Sequence, residues 1–307
     1  NGLLIGPHSA NIISEIILTA VDIKLISLGY RKLKRHIDDY EFYASSHEES
    51  ERFIRDLGLA LREYELSINE KKTKIQQLPR PSVENWVRQL NLFQFPNEEV
   101  RFGSVRAFLD LALELADSSA SSAPLNYALQ MIPEQLNARA KRLFVQEAVN
   151  LALFYPYLAP LLEKHVFAKH RHVGIADTIE TFCNDLCRIG IQKLYPAAIA
   201  HSLYYGLLYK IDVKFETIET IEIDAILALD DCITTVLLLE YAKKRKLTKA
   251  IKRISDRATA LKREERRIQD RQWLLIYQTW KASDLSKDGH EFLGYLKSNN
   301  FQFFTSP

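Results

Sequence analysis

Two adjacent acids, Asp38 and Asp39, sit in the segment Arg31–Ala44 among Leu33, Ile37, Tyr40, Phe42 and Tyr43. Paired carboxylates on a turn suit one chemistry in particular. In phosphoryl and nucleotidyl transfer, two divalent ions roughly 4 Å apart clamp the attacking and leaving oxygens. Magnesium is typically held there by a few carboxylates together with substrate phosphates. Period-two alternation places Leu33, Arg35 and Ile37 on one face before the acids, and Tyr40, Phe42 and Ala44 on one face after them. The segment therefore reads as strand, acidic turn, strand. An ordinary hairpin whose Asp-Asp merely suits a turn gives the same pattern, so the surrounding elements must carry the distinction.

Upstream, Gly6 lies in the run Gly2–Ser9, where the missing side chain lets backbone approach a ligand closely. A helix follows, with Ile12, Ile13, Ile16, Ile17, Ala20, Val21, Leu25 and Leu28 at helical spacing. Downstream, Ser46-x-x-Glu49 reads as a capping box, opening a helix whose apolar stripe is Phe53, Leu57, Leu61 and Tyr64. A short strand is expected next, ending in Ser67-Ile68-Asn69-Glu70-Lys71-Lys72-Thr73.

In that order the parts resemble the palm of a reverse transcriptase: a Gly-rich loop and helix, an x-Ile-Asp-Asp turn, and an Asn-x-x-Lys-Thr loop. Gly6-Pro7-x-Ser9 followed by Ser14-Glu15, with a long helical tail after Lys72-Thr73-Lys74-Ile75, is similar to the abortive-infection (AbiK-like) reverse transcriptases of bacterial phage defence. The resemblance spans about the first 80 residues. It implies that Asp38 and Asp39 are catalytic metal ligands for Mg2+, with Mn2+ as a substitute. Lys72 would act at the triphosphate, stabilising charge or protonating the leaving pyrophosphate. Gly6, Ser9 and His36 would line the nucleotide and primer side. The residue before Ile-Asp-Asp, commonly Tyr in that family, is His36 here. The family's first catalytic acid precedes its Gly-rich loop, so the expectation is that sequence upstream of Asn1 completes the palm. The resemblance further implies deoxynucleoside triphosphates as substrates, protein-primed and template-independent synthesis of single-stranded DNA, and homo-oligomers.

Composition agrees with a packed protein: of 307 residues, 47% are hydrophobic and 26% charged. Three cysteines, Cys183, Cys187 and Cys232, form no zinc or disulfide pattern, which points to a reducing cytoplasm. The apolar N-terminal stretch carries Glu15 and Asp22 and reads as neither signal peptide nor membrane span.

At Leu78-Pro79-Arg80-Pro81 the strand-like alternation ends. The expected architecture is α+β and predominantly α: a partial palm over 1–79, then an all-α domain over 80–307. Prolines and a Ser/Ala patch at Ser118–Pro124 punctuate the second part, with helices expected at Pro133–Phe154, Ile175–Gly190, Pro196–Leu208 and Ile223–Lys243. Their lengths resemble helical-repeat solenoids, without a repeated signature. Tyr204, Tyr205 and Tyr209 beside Leu203, Leu207 and Leu208 suit either base stacking or, more simply, a helix core. His165, His170 and His172 read as a polar, phosphate-facing helix end, and Asp230-Asp231 as a helix-terminal pair.

Charge is segregated. Lys243–Arg271 holds thirteen Lys/Arg against four Asp/Glu, so it carries +9 and leaves −7 on the rest of a chain whose total is +2. Leu247, Ile251, Ile254, Ala258, Leu261 and Ile268 form a seam along it, interrupted at Glu265. Such a concentration should repel itself without an anionic partner. Lys252, Arg253, Arg263, Arg266 and Arg267 are therefore the candidate contacts to nucleic-acid phosphates. Two other readings stand beside the defence polymerase. A templated retroelement enzyme of retron or group II intron type predicts a Phe-Leu-Gly turn soon after Ile75, which is absent. A non-catalytic nucleic-acid scaffold with a decayed palm fits His36 but not the presence of Asp38, Asp39 and Lys72.

Overall fold

The computed structural model describes residues 8–79, 81, 83–119, 121–214 and 219–303. Among these, sixteen α-helices and one two-stranded sheet are formed, so the chain is predominantly α with a small β element. The chain folds as two compact units, Asn1–Ser82 and Val83–Pro307. Gly6 lies outside the described residues.

In the first unit, α1 (His8–Ser27) is apolar nearly all round. Its inward stripe is Leu18, Val21 and Leu25, whereas Ile12, Ile13, Ile16 and Leu28, expected from spacing to pack, are exposed. Gly29, with φ +96°, ends the helix, and the Tyr30 N–H donates to the Leu25 carbonyl at 3.1 Å. This left-handed glycine cap satisfies one of the last carbonyls and turns the chain into the hairpin. Strands β1 (Leu33–His36) and β2 (Asp39–Phe42) pair antiparallel, with Leu33 opposite Phe42, Arg35 opposite Tyr40 and His36 opposite Asp39. Leu33, Arg35, Tyr40 and Phe42 share the half-buried face. Ile37 does not join them; it sits in the turn, 70% exposed.

Helix α2 (His47–Arg62) opens as the capping box requires: Ser46 Oγ accepts the Glu49 N–H at 3.1 Å. The Glu49 carboxylate reaches back to the Ser45 N–H at 2.5 Å, one residue earlier than the motif strictly places it. Phe53, Leu57 and Leu61 are buried, while Tyr64 lies beyond the helix end and is exposed. The Tyr30 ring meets Phe42 and Phe53 edge-on, each at 5.2 Å, and Phe42 stacks on Phe53 at 4.5 Å. The Tyr30 hydroxyl donates to Asp56 at 2.6 Å. The strand expected before Asn69 is not formed. Leu66 and Ile68 instead lie against the small core as irregular chain, and a turn closes at Asn69, whose carbonyl accepts the N–H groups of Lys72 and Thr73.

The second unit is helical. It begins with α3 (Asn85–Leu92), α4 (Phe102–Ser119), α5 (Ala123–Met131) and α6 (Ala138–Phe154). The short α7 (Ala159–Leu162) runs into a π-helical turn, Glu163–Phe167, followed by α8 (Ile175–Gln192) and α9 (Pro196–Leu208). Next come α10 (Glu219–Ala228), α11 (Cys232–Arg245) and α12 (Thr248–Ala260). The last four are α13 (Arg266–Arg271), α14 (Trp273–Thr279), α15 (Ala282–Lys287) and α16 (Glu291–Ser298). Helices pack mainly on near neighbours in the chain, α4 on α5 and α6, α8 on α9, α9 on α11 and α11 on α12.

Three expected boundaries move for local reasons. Helix α6 starts at Ala138 rather than Pro133, because Asn137 caps it at Ala140 N–H (2.7 Å) and Leu136 pairs with Val100 as an isolated bridge. The segment 223–243 is two helices, broken where Asp230 takes φ +53°. Helix α8 runs two residues past Gly190, to Gln192.

Gly190 does not stop α8; it admits α9. A Cβ there would stand 2.6 Å from Ile199 Cγ1 and 3.0 Å from the Ile199 backbone nitrogen. Backbone cannot yield as a side-chain tip does, so Gly190→Ala should destabilise the second unit by about 1–3 kcal/mol, the usual cost of overpacking. Thermal or denaturant unfolding against wild type checks this, and an unchanged midpoint would contradict the close approach of α8 and α9.

Candidate functional site

At the hairpin tip the turn is Ile37-Asp38, closed by His36 opposite Asp39. Of the two turn residues only Ile37 has positive φ, +58°. This is the φ pattern of a type II′ turn, whose first central position normally holds glycine. A β-branched residue in the left-handed region is strained, by about 1–3 kcal/mol. Asp38 and Asp39 are both exposed, and neither forms an ion pair among the described residues. His36 lies on the outward face, directly across from Asp39.

Beneath this tip lies a charge network that spacing in the sequence does not disclose. The Arg35 guanidinium donates through Nη1 and Nη2 to both oxygens of Glu15, at 2.8 and 2.7 Å. Its Nε donates to Asp22 at 2.8 Å, and Nη1 also reaches the Ile37 carbonyl at 2.7 Å. From the other strand, the Tyr40 hydroxyl donates to the second Asp22 oxygen at 2.8 Å. The hydrogen bond from Arg35, aided by its charge, holds the Glu15 carboxyl below the usual carboxylate range. Burial, then the bond to Asp22, pushes the Tyr40 phenol up, so it stays a neutral donor. One signal pointed here: Arg35 occupies a strand position whose alternation faces the core, and an inward charge needs partners.

The carboxylate chemistry fits a hard divalent cation, since Asp38 and Asp39 offer oxygen donors at an exposed turn. Among the described residues no group of three His, Cys, Asp or Glu gathers to hold a metal ion. Lys72 sits in the same unit, on the exposed turn closed by Asn69, and forms no ion pair among the described residues. Ser9 lies in the first turn of α1.

The histidine cluster is not a phosphate-facing helix end. His170 is fully buried, its ring edge-on to Phe144 at 4.9 Å, with neither ring nitrogen hydrogen-bonded. His165 lies in the π-helical turn, and His172 is tied to the His170 carbonyl. Of the tyrosines at and just past the end of α9, Tyr205 is no stacking platform. Tyr205 is core, donating to the Ala159 carbonyl at 2.5 Å, while Tyr204 and Tyr209 are half-buried beside it.

The basic segment is partly neutralised from outside itself. Acids elsewhere in the unit reach in: Glu240 to Lys243, Asp212 to Arg245, Asp224 to Arg253 and Asp284 to Lys262. Asp230 takes three partners, Arg257, Arg271 and Gln272. Arg266 pairs with Asp270 and donates to the Asp288 carbonyl. The expected self-repulsion is therefore reduced within the fold, though part of the positive excess stays. Lys252, Arg263 and Arg267 are exposed and without an ion pair among the described residues, whereas Arg253 and Arg266 are engaged. The seam holds in its middle, where Ile254, Ala258 and Leu261 are buried, and past Glu265 it passes to Gln269.

No helix among the described residues is long and apolar enough to cross a membrane. Compared with protein-family models, with characterised proteins and with solved structures, the chain matches none of them.

Desolvation, then the nearby charges of Lys141, Lys169 and His172, push the His170 imidazole down to about 4. An unfolded chain binds that proton near pH 6.5. Stability from the neutral ring is thus complete above about pH 6.5 and is lost as pH falls toward about 4. Unfolding midpoints between pH 4 and 7 should drop more steeply in wild type than in His170→Gln, and parallel pH slopes would contradict the buried neutral ring.

Proposed function

We propose that the chain carries the metal-binding hairpin of a reverse-transcriptase-type nucleotidyltransferase joined to an α-helical domain that contacts its single-stranded DNA product. The strained Ile37–Asp38 turn supports this reading most directly, because it lifts two exposed carboxylates off a short hairpin braced from behind. The order of elements supports it too: helix, acidic hairpin, capped helix, then the Asn69 turn bearing Lys72. Asp38 and Asp39 would hold Mg2+, which when bound orients triphosphate oxygens and offsets their charge. Lys72 would stabilise the leaving pyrophosphate, with Ser9 and His36 beside the nucleotide and primer. The particular activity follows the resemblance: protein-primed, template-independent synthesis from deoxynucleoside triphosphates in anti-phage abortive infection, by a cytoplasmic homo-oligomer.

Asp38→Ala combined with Asp39→Ala should abolish deoxynucleotide incorporation while leaving the unfolding transition in place; retained incorporation would sink the assignment of the site. For the helical domain, Lys252→Glu, Arg263→Glu and Arg267→Glu together should weaken single-strand binding. The log–log salt slope should flatten by about 2 if each cation meets one phosphate. An unchanged slope in fluorescence anisotropy would return these residues to a solvated face.

A further inference from the structure

Resting on the assignment of Asp38 and Asp39 as metal ligands, we infer that Arg35 is a positioning residue that fixes the peptide between Ile37 and Asp38 and thereby sets how the two carboxylates meet a divalent ion. Type I′ and type II′ hairpin turns differ by a flip of their central peptide. In a type I′ turn both central residues have positive φ, and Asp tolerates that conformation well. Ile37-Asp38 adopts the other pattern, with only Ile37 left-handed, although isoleucine is poorly suited to the first position. Local preference therefore does not choose this turn.

The Arg35 side chain does. Its Nη1 donates to the Ile37 carbonyl at 2.7 Å, and that oxygen belongs to the peptide whose flip would interconvert the two forms. The guanidinium cannot follow a flip, because its other donors are committed to Glu15 and Asp22 on α1. Its side chain is only 12% exposed, so its geometry is fixed by packing as well as by charge. Asp22 also receives Tyr40, which sits opposite Arg35 on β2. Both strands and the turn are thus tied to one stretch of α1. A lysine at position 35 could pair with one acid but lacks the planar fork that serves two acids and a carbonyl together.

A plain electrostatic role and a positioning role predict opposite signs. Deleting a cation near two carboxylates should tighten Mn2+ binding through charge alone. Losing a group that orients ligands should weaken it, by about tenfold or more. The experiment titrates Mn2+ into the full chain and follows paramagnetic broadening of the Ile37–Tyr40 amide signals, with Mg2+ competition. Wild type should broaden there at the lowest Mn2+ concentrations. Arg35→Met should need at least about tenfold more, with Arg35→Lys between them. Ile37→Gly added to Arg35→Met should recover affinity, since glycine favours the type II′ turn without help. Equal or tighter Mn2+ binding in Arg35→Met would overturn the inference, as would a double variant that folds but recovers nothing. Absence of broadening in wild type would instead overturn the metal assignment beneath it. If Arg35→Met does not fold, Arg35→Lys decides alone: wild-type affinity there would contradict the need for the fork.

Discussion

A two-stranded hairpin of four-residue strands is marginal in water, so a strained turn at its end persists only if something else holds it. Here that support comes from two sides. The aromatic group of Tyr30, Phe42 and Phe53 clamps the open end of the hairpin onto α1 and α2, and the Arg35 network clamps the tip. The first contribution is apolar and insensitive to salt. The second is a forked, hydrogen-bonded ion pair to Glu15 with a further bond to Asp22, stronger than a surface pair because the guanidinium is largely covered. Exposure of Asp38 and Asp39 is thus a consequence of what is buried behind them.

Charge plays a different part in the second unit. A basic run of +9 looks in sequence like an uncompensated surface, yet the fold returns acids from α10, α11, α15 and the α10–α11 break to meet it. Asp230 is the hub, held at φ +53° between two helices and sharing its carboxylate among Arg257, Arg271 and Gln272. What remains free for a partner is a smaller set, Lys252, Arg263 and Arg267 among the residues first considered. Net charge of a segment measures its partners poorly when those partners are distant in sequence.

Legibility followed the range of the interactions. The hairpin, the Ser46 cap and the spans of α8 and α9 depend on residues a few positions apart, and these were readable to within two residues. Helix α6 was overrun because Asn137 could not be distinguished from a helical residue without the bridge of its neighbour Leu136 to Val100. The outward isoleucines of α1 misled because an apolar helix has no polar face to mark which side is inside. His170 read as polar from its neighbours, whereas Phe144, 26 residues earlier, makes its surroundings apolar. At the candidate site the two acids were visible. Of the residues that brace them only Arg35 left a signal, its inward place on β1, since Glu15, Asp22 and Arg35 converge only once α1 and the hairpin pack.

Whether this hairpin serves nucleotide transfer is tested most directly by incubating the purified protein with Mg2+ and each labelled deoxynucleotide, without template or primer. The products are resolved on denaturing gels before and after protease. Label that migrates with the protein and is released by protease is the result expected. No label here or with a primed RNA template would contradict a role in nucleotide transfer, and label with primed RNA alone would move the activity to templated synthesis.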